Sequence, residues 1–413
     1  MRGEQALPQQ FRWLWLAYAV STCGTWLAFD AFPLIAIQVL HAEPSAVSAL
    51  AAVGPAVGAL IALPLGPWVE FRRKQPVMIT MDVVRFAALL TIPAAYALGA
   101  LSFAQLLVVS VLVGAADITF TAASGAYLKA LVRPDDLLAA NGRFESTAWT
   151  AAMLGPPLGG AAIGLLGPVV TVVANAVSFL LSAAGIQAIR EKEQQPTRTQ
   201  GQRLRLSDLL EGWRFILAPT ELRKLFCNVL LVNGLIMAVS PLMAILMLGQ
   251  LGFSPWQYGL AFAAPCVGGL VGSRLARQLV PRFGQHRIMT IAGIARACWL
   301  IGLVFVRPGF AGLVLVIAVE FGLITCCAVF SPVLATYRLN QIPAGLVART
   351  LSAWTVASKA STAALTALWG VLAGFTGPRV AIALAGLAIL VTPLLLPRQG
   401  RPRHTKEPQL VAS

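Results

Sequence analysis

The chain has 413 residues, of which 58% are hydrophobic and only 11% charged, and it carries a formal net charge of +15. An ordinary soluble domain carries about 25% charged residues, so a water-facing surface of normal polarity is excluded and a lipid-embedded protein is expected. The 31 Lys and Arg residues lie in short clusters between apolar runs, not on one basic face, which speaks against a nucleic-acid partner.

A spanning helix needs about 20 mostly apolar residues. In chain order the segments that qualify are 11–37, 46–69, 76–98, 103–128, 144–166, 168–189, 224–248, 256–280, 287–306, 310–334, 350–372 and 378–396, which makes twelve. The run from Phe11 is too long for a signal-peptide core and reads as an uncleaved first span. Basic residues crowd the even-numbered connections: Arg72, Arg73 and Lys74; Lys129 and Arg133; Arg190 through Lys224; Arg282 and Arg287; Arg338 and Arg349. The odd-numbered connections hold only Arg307 and Arg379. The positive-inside rule then puts both termini in the cytoplasm, as an even number of spans also requires. The protein is expected to be multi-pass in a plasma (bacterial inner) membrane, and monomeric.

The polar stretch from Arg190 to Thr220 reads as a cytoplasmic linker between two six-helix halves. Within it, Leu206 to Leu217 is expected to form an amphipathic helix lying on the membrane surface. The domains are thus 1–189, a linker 190–220, 221–396 and a cytoplasmic tail 397–413. The halves look related: Ala51–Leu60 and Ala261–Leu270 match at five of ten positions at an offset of 210. Such duplication marks many secondary transporters.

Several motifs carry chemistry. Gly66 precedes Glu70 by four residues, and Arg72, Arg73 and Lys74 follow. An acid at a helix end beside a basic cluster can latch a neighbouring helix in one conformation and release it in another. Asp82 and Arg85 share a helix face and are expected to form a structural pair tied to the Glu70 loop. In Gly155-Pro156-Pro157-Leu158-Gly159-Gly160, small residues allow close helix approach, and the prolines loosen the helix.

These stretches make the chain resemble the major facilitator superfamily, in particular its twelve-span drug and siderophore efflux branch. The entry to span eleven, Arg338 to Arg349, looks similar to that branch as well. The resemblance implies an all-α membrane protein with twelve transmembrane helices in two pseudo-symmetric six-helix bundles around a central cavity. It depends on the Gly66 to Lys74 loop, where Glu70, Phe71 and Arg73 depart from the usual Asp, Arg and Gly. It also depends on the Gly155 hexapeptide, which is associated with exporters. Ser110 stands roughly where many proton-coupled members carry an Arg.

Charge within hydrocarbon costs at least about 2.5–3.5 kcal/mol, so intramembrane charges are functional candidates. Asp30, Asp117, Glu320 and Lys359 qualify, with Asp82, Arg85 and Arg296 at span edges. Asp30 has Trp26 one turn away, a pairing that suits an amphipathic and often cationic ligand. Asp117 and Glu320 fall near the midplane; Asp117 can instead bond Thr119 or Ser124, and Glu320 can bridge to Lys359. A carboxyl removed from water holds a proton more readily, as a proton-coupled step requires.

The expected function is proton-coupled efflux of small amphipathic compounds such as drugs, antibiotics or siderophore-like metabolites. Uptake, or lipid or metabolite transport, by the same fold is the alternative. A membrane-embedded enzyme is disfavoured, since HExxH, GxSxG and a P-loop are all lacking. The six cysteines lie in apolar runs with no CxxC spacing, and the three histidines are far apart. No metal and no cofactor is expected.

Overall fold

Lipid leaves a spanning chain few ways to satisfy its backbone, and the helix is the local one. Every regular element among the described residues is helical. The structure is a computed structural model that describes residues 8–28, 31–41, 50, 57–58, 60–61, 64–189 and 206–396. α1 (Gln9–Leu27) and α2 (Ala31–Gln38) occupy the first predicted span. α3 (Leu65–Glu70) ends the second, whose range 46–69 lies mostly outside the described residues. Then come α4 (Lys74–Ala97), α5 (Phe103–Leu131), α6 (Leu137–Leu166), α7 (Pro168–Gln187), α8 (Leu206–Leu217) and α9 (Thr220–Ala244). The remainder are α10 (Pro255–Ala263), α11 (Cys266–Phe283), α12 (Gln285–Trp299), α13 (Phe310–Gln341), α14 (Val347–Thr376) and α15 (Pro378–Val391). Among the described residues, 11 helical segments are long and apolar enough to cross a membrane.

Local chemistry sets the ends. The Ser102 hydroxyl accepts from the Gln105 amide at 3.2 Å and caps α5. α6 and α14 both stop at a glycine in the left-handed region, Gly167 (φ 84°) and Gly377 (φ 85°), and a proline starts the next helix in each case. α6 and α14 are each 30 residues long, and each follows a short 3-10 turn, Pro134–Asp136 or Ala344–Leu346. The 210-residue offset seen in the second and eighth spans therefore recurs in these element boundaries.

Two groups of helices result. α1, α4, α5, α6 and α7 pack together, as do α9 and α11 to α15. The groups meet where α6 packs on α11 and α13, and where α14 packs on α3 and α5. α6, α13 and α14 extend past the predicted spans 144–166, 310–334 and 350–372. Their added turns carry polar residues such as Asn141 and Arg349, which protein contacts hold rather than lipid. The helix expected over 206–217 forms as α8, and protein covers part of its apolar face while Leu210 and Leu217 stay exposed. Ile216 is fully buried, and the Trp213 ring meets Phe226 edge-on at 6.5 Å.

The small-residue stripe of α6 is used unevenly. A methyl group on Gly155 would come within 2.5 Å of Trp26 Cβ, and one on Gly159 within 2.2 Å of the Leu27 carbonyl oxygen. Gly160 faces open space. α6 continues through Pro156 and Pro157. Gly159→Ala is expected to destabilise by about 1–3 kcal/mol through overpacking. Gly160→Ala should be neutral or stabilise by up to about 1 kcal/mol. Thermal melting of the detergent-solubilised variants checks this, and equal melting temperatures would refute the backbone contact with α1.

Candidate functional site

Helices α1, α4, α5, α6, α7, α13 and α14 enclose a cavity of about 380 Å³. α1 contributes Tyr18, Ser21, Thr22, Thr25 and Trp26; α5 contributes Asp117, Phe120, Thr121 and Ser124. Asn141, Phe144, Phe179, Arg338 and Thr355 complete much of the wall. The lining thus mixes aromatic faces, hydroxyls and a few charges. Transporter sites have this character, and they occur where helix groups meet. Thr119 and Thr25 each donate to a carbonyl one turn back, at 2.8 Å and 2.9 Å.

The charges form one connected set. Asp82 is fully buried and pairs with Arg85, itself 4% exposed. The Arg85 guanidinium lies over Phe120 at 4.6 Å and Phe179 at 4.2 Å. Its other nitrogen reaches Asp117 at 3.5 Å. The second Asp117 oxygen lies 3.8 Å from Lys359 Nζ of α14. Asp117 is 49% exposed to the cavity and Lys359 38%. Asp117 therefore stands between a cation of its own helix group and a cation of the other. This corrects two readings. The Asp82–Arg85 pair extends to Asp117 rather than to the Glu70 loop, because Arg85 points along the α4–α5 seam. Lys359 meets Asp117 rather than Glu320, which is buried on α13 near Tyr258 and Cys266. Thr119 bonds backbone, not Asp117. Asp30 lies outside the described residues; Trp26, its expected neighbour, lines the cavity.

One end of the cavity is shut by contacts between the two helix groups. Glu70 Oε2 accepts from the backbone amides of Ala348 at 2.8 Å and Arg349 at 3.3 Å, at the start of α14. A carboxylate there satisfies orphan N–H groups and complements the helix dipole. Lys129 of α5 donates to the Leu339 and Ile342 carbonyls at the end of α13, the matching arrangement for a cation. Arg349 pairs with Glu211 of α8 and lies over Phe71 at 4.9 Å. Gly66 lets Ser352 approach: a methyl there would come within 2.8 Å of Ser352 Cβ. Lys74 donates to the Glu70 and Arg72 carbonyls at 2.8 Å each, and Arg72 lies over Trp68 at 5.3 Å. Arg73 is exposed. Asn141 donates to Thr336 at 3.1 Å and forms part of the floor.

Two residues in this region escaped sequence reasoning. Arg338 reads as a loop cation but lines the cavity and lies over Trp354 at 4.7 Å. Glu145 falls at the edge of the predicted span 144–166, yet α6 begins at Leu137, two turns earlier. It accepts from Trp149 Nε1 at 2.9 Å and bonds Ser331 of α13. The Glu145/Trp149 spacing of four residues was the available signal. Arg296, expected at a span edge, is buried, donates to Asn228 at 2.5 Å and stacks on Phe330 at 3.6 Å.

A sequence profile described as Major Facilitator Superfamily matches residues 14–337. Among solved structures, the fold is similar to a bacterial homologue of the iron transporter ferroportin in an outward-facing state. That likeness has a TM-score of 0.79 at 16% identity, over 94% of this chain and 98% of that one. The human organic anion transporter MFSD10 (TETRAN) is similar with a TM-score of 0.76 at 16% identity, over 94% and 100% of the two chains. At this identity the likeness shows the fold alone. No curated protein matches the chain.

Two tests address the charges. Asp82→Asn leaves Arg85 buried beside a neutral partner and is expected to cost about 3 kcal/mol. The double variant Asp82→Leu/Arg85→Met should recover part of that loss in thermal unfolding. Glu70→Ala strips two amides of α14 of their acceptor. The open population at this end should rise about tenfold, equivalent to ~1.4 kcal/mol. Glu70→Gln, which keeps an acceptor, should lie between. Electron-spin distances between labels at 73 and 341 report it, and unchanged distance distributions would exclude the latch.

Proposed function

The chain belongs to the major facilitator superfamily, and from that premise we propose that it is a secondary active transporter exporting small amphipathic compounds against proton entry. The observation that carries the reading is Asp117, held between Arg85 at 3.5 Å and Lys359 at 3.8 Å in a cavity shut at its basic end. By the positive-inside rule that end is cytoplasmic, so the form described is outward-open. The membrane is a bacterial plasma membrane, both termini face the cytoplasm, and the two halves, 1–189 and 221–396, move about the cavity. The far end is consistent with this form: Gly160, Gly164, Gly370 and Gly374 on α6 and α14 have no neighbour where a methyl would stand.

The chemistry follows from competition for one carboxylate. Ionised, Asp117 ties α5 to Lys359 of α14. A proton arriving from outside neutralises it and frees Lys359, which loosens the link between halves. In the inward-open form the proton leaves, and the substrate takes the freed cation or the aromatic wall. Among the described residues Arg85, Arg338 and Lys359 outnumber the lining acid Asp117. That balance favours an acidic group on the substrate over a cationic one. Trp26, Phe120, Phe144 and Phe179 supply the apolar surface for the rest of it.

The test uses proteoliposomes with an imposed pH gradient and a panel of acidic and basic amphipathic compounds. Asp117→Asn is expected to reduce gradient-driven accumulation at least about tenfold, the worth of ~1.4 kcal/mol. It should also flatten the pH dependence, while binding without a gradient persists. Wild-type accumulation that survives an uncoupler would sink proton coupling. Full activity of the Asn variant would remove Asp117 from it.

A further inference from the structure

Outside the central cavity, α1, α6 and α11 enclose a second groove of about 390 Å³. Three arginines line it: Arg143 of α6, and Arg274 and Arg277 of α11. They stand on both sides of the junction between the two helix groups. No acidic side chain lines the groove. No ion pair among the described residues uses Arg143 or Arg274. The hydroxyls nearby are committed. Thr147 and Thr150 each donate to a carbonyl one turn back, at 2.9 Å and 2.8 Å, and Trp15 donates to Thr147 at 2.9 Å. Ser146 bonds Ser273 across the junction at 2.6 Å. The Arg143 and Arg274 guanidinium groups are the donors left to face a ligand, and their planar fork suits a phosphate.

Position identifies the source of that phosphate. Arg143 adjoins the predicted span 144–166, and Arg274 lies about 9 Å inside the end of span 256–280, at ~1.5 Å per residue. An arginine stem covers such a depth by snorkelling. The groove's flanks continue into exposed apolar strips, Trp13, Leu16 and Val20 on α1 and Val267 and Val271 on α11. We propose that this groove binds the phosphate-bearing headgroup of an anionic phospholipid, with the acyl chains lying along those strips. A phosphate bridging Arg143 and Arg274 offsets their repulsion across the junction. It therefore favours the form in which α6 and α11 are joined. The proposal does not depend on which substrate the central cavity carries.

The experiment is native mass spectrometry of the full chain released from nanodiscs of mixed phosphatidylglycerol and phosphatidylcholine. Each basic side chain at an anionic surface is worth about fivefold in affinity. Arg143→Gln/Arg274→Gln should therefore retain phosphatidylglycerol roughly twenty-fold less well. Arg143→Lys/Arg274→Lys should keep most of it, and Arg282→Gln/Arg287→Gln, at the same end but outside the groove, should match the wild type. If the double variant does not fold, Arg274→Gln at an exposed position carries the test, with a loss of about fivefold. Equal lipid retention in the Gln variants overturns the proposal. So does equal thermal stabilisation of the lipid-free protein by inorganic phosphate alone, which would assign the groove to a soluble anion.

Discussion

At the basic end of the cavity, two side chains meet the ends of helices belonging to the other group. Every helix leaves unbonded amides at its start and unbonded carbonyls at its end. The turn between α13 and α14 presents one set of each within a few residues. Glu70 takes the amides at Ala348 and Arg349, and Lys129 takes the carbonyls of Leu339 and Ile342. The acceptor and donor on the backbone are fixed features of any helix, so the latch needs only one acid and one base to be complete. Each such contact is worth about 0.3–1 kcal/mol at a surface and up to ~2 when partly buried. Moving a two-state equilibrium from 1:99 to 99:1 takes about 5.5 kcal/mol. A handful of contacts of this size is therefore enough to hold one state while leaving it reversible.

These contacts form only because backbones come close, and small residues allow that in two different ways. Gly155 and Gly159 bring α6 against α1 within one helix group. Gly66, Gly125 and Gly269 bring elements of the two groups together, against Ser352, Leu351 and Trp149. The first kind of contact lies within one helix group, and the second lies between the groups. The same residue type thus serves both places, and only the identity of the partner distinguishes them.

That distinction explains what was legible in the sequence. Among the described residues hydropathy located 11 of the spans, because twenty apolar residues have few other uses, and the 210-residue offset anticipated the matched lengths of α6 and α14. The acid at Glu70 stood out by its place at a helix end. Its partners did not, since they are backbone groups 278 and 279 positions away. Lys129 read as one more basic loop residue for the same reason. The Asp82–Arg85 pair followed from i, i+3 spacing, yet its reach to Asp117 depends on how α4 crosses α5. Glu145 was hidden by an error of two turns in a helix start, which hydropathy cannot see once polar turns leave the lipid.

The bridge from Asp117 to Lys359 has a different task from the latch. Two charges about 4 Å apart attract by ~4 kcal/mol at an effective dielectric of 20. A pair exposed to this extent keeps only about 0–1 kcal/mol of that after solvation and chain entropy. Such a bridge cannot hold the halves in place. Its weakness leaves the Asp117 carboxylate half-exposed in the cavity, whereas Asp82 is sealed behind Arg85. Arg85 serves both acids, so Asp117 has a second cation that holds it besides Lys359. In the mechanism proposed above, a strong bridge here would compete with the cargo, and none at all would leave the second half unaware of the proton. In the proposed proton-coupled mechanism, the arrangement separates sensing at Asp117 from holding at Glu70 and Lys129, and separation of that kind would let one carboxylate's charge decide which end opens.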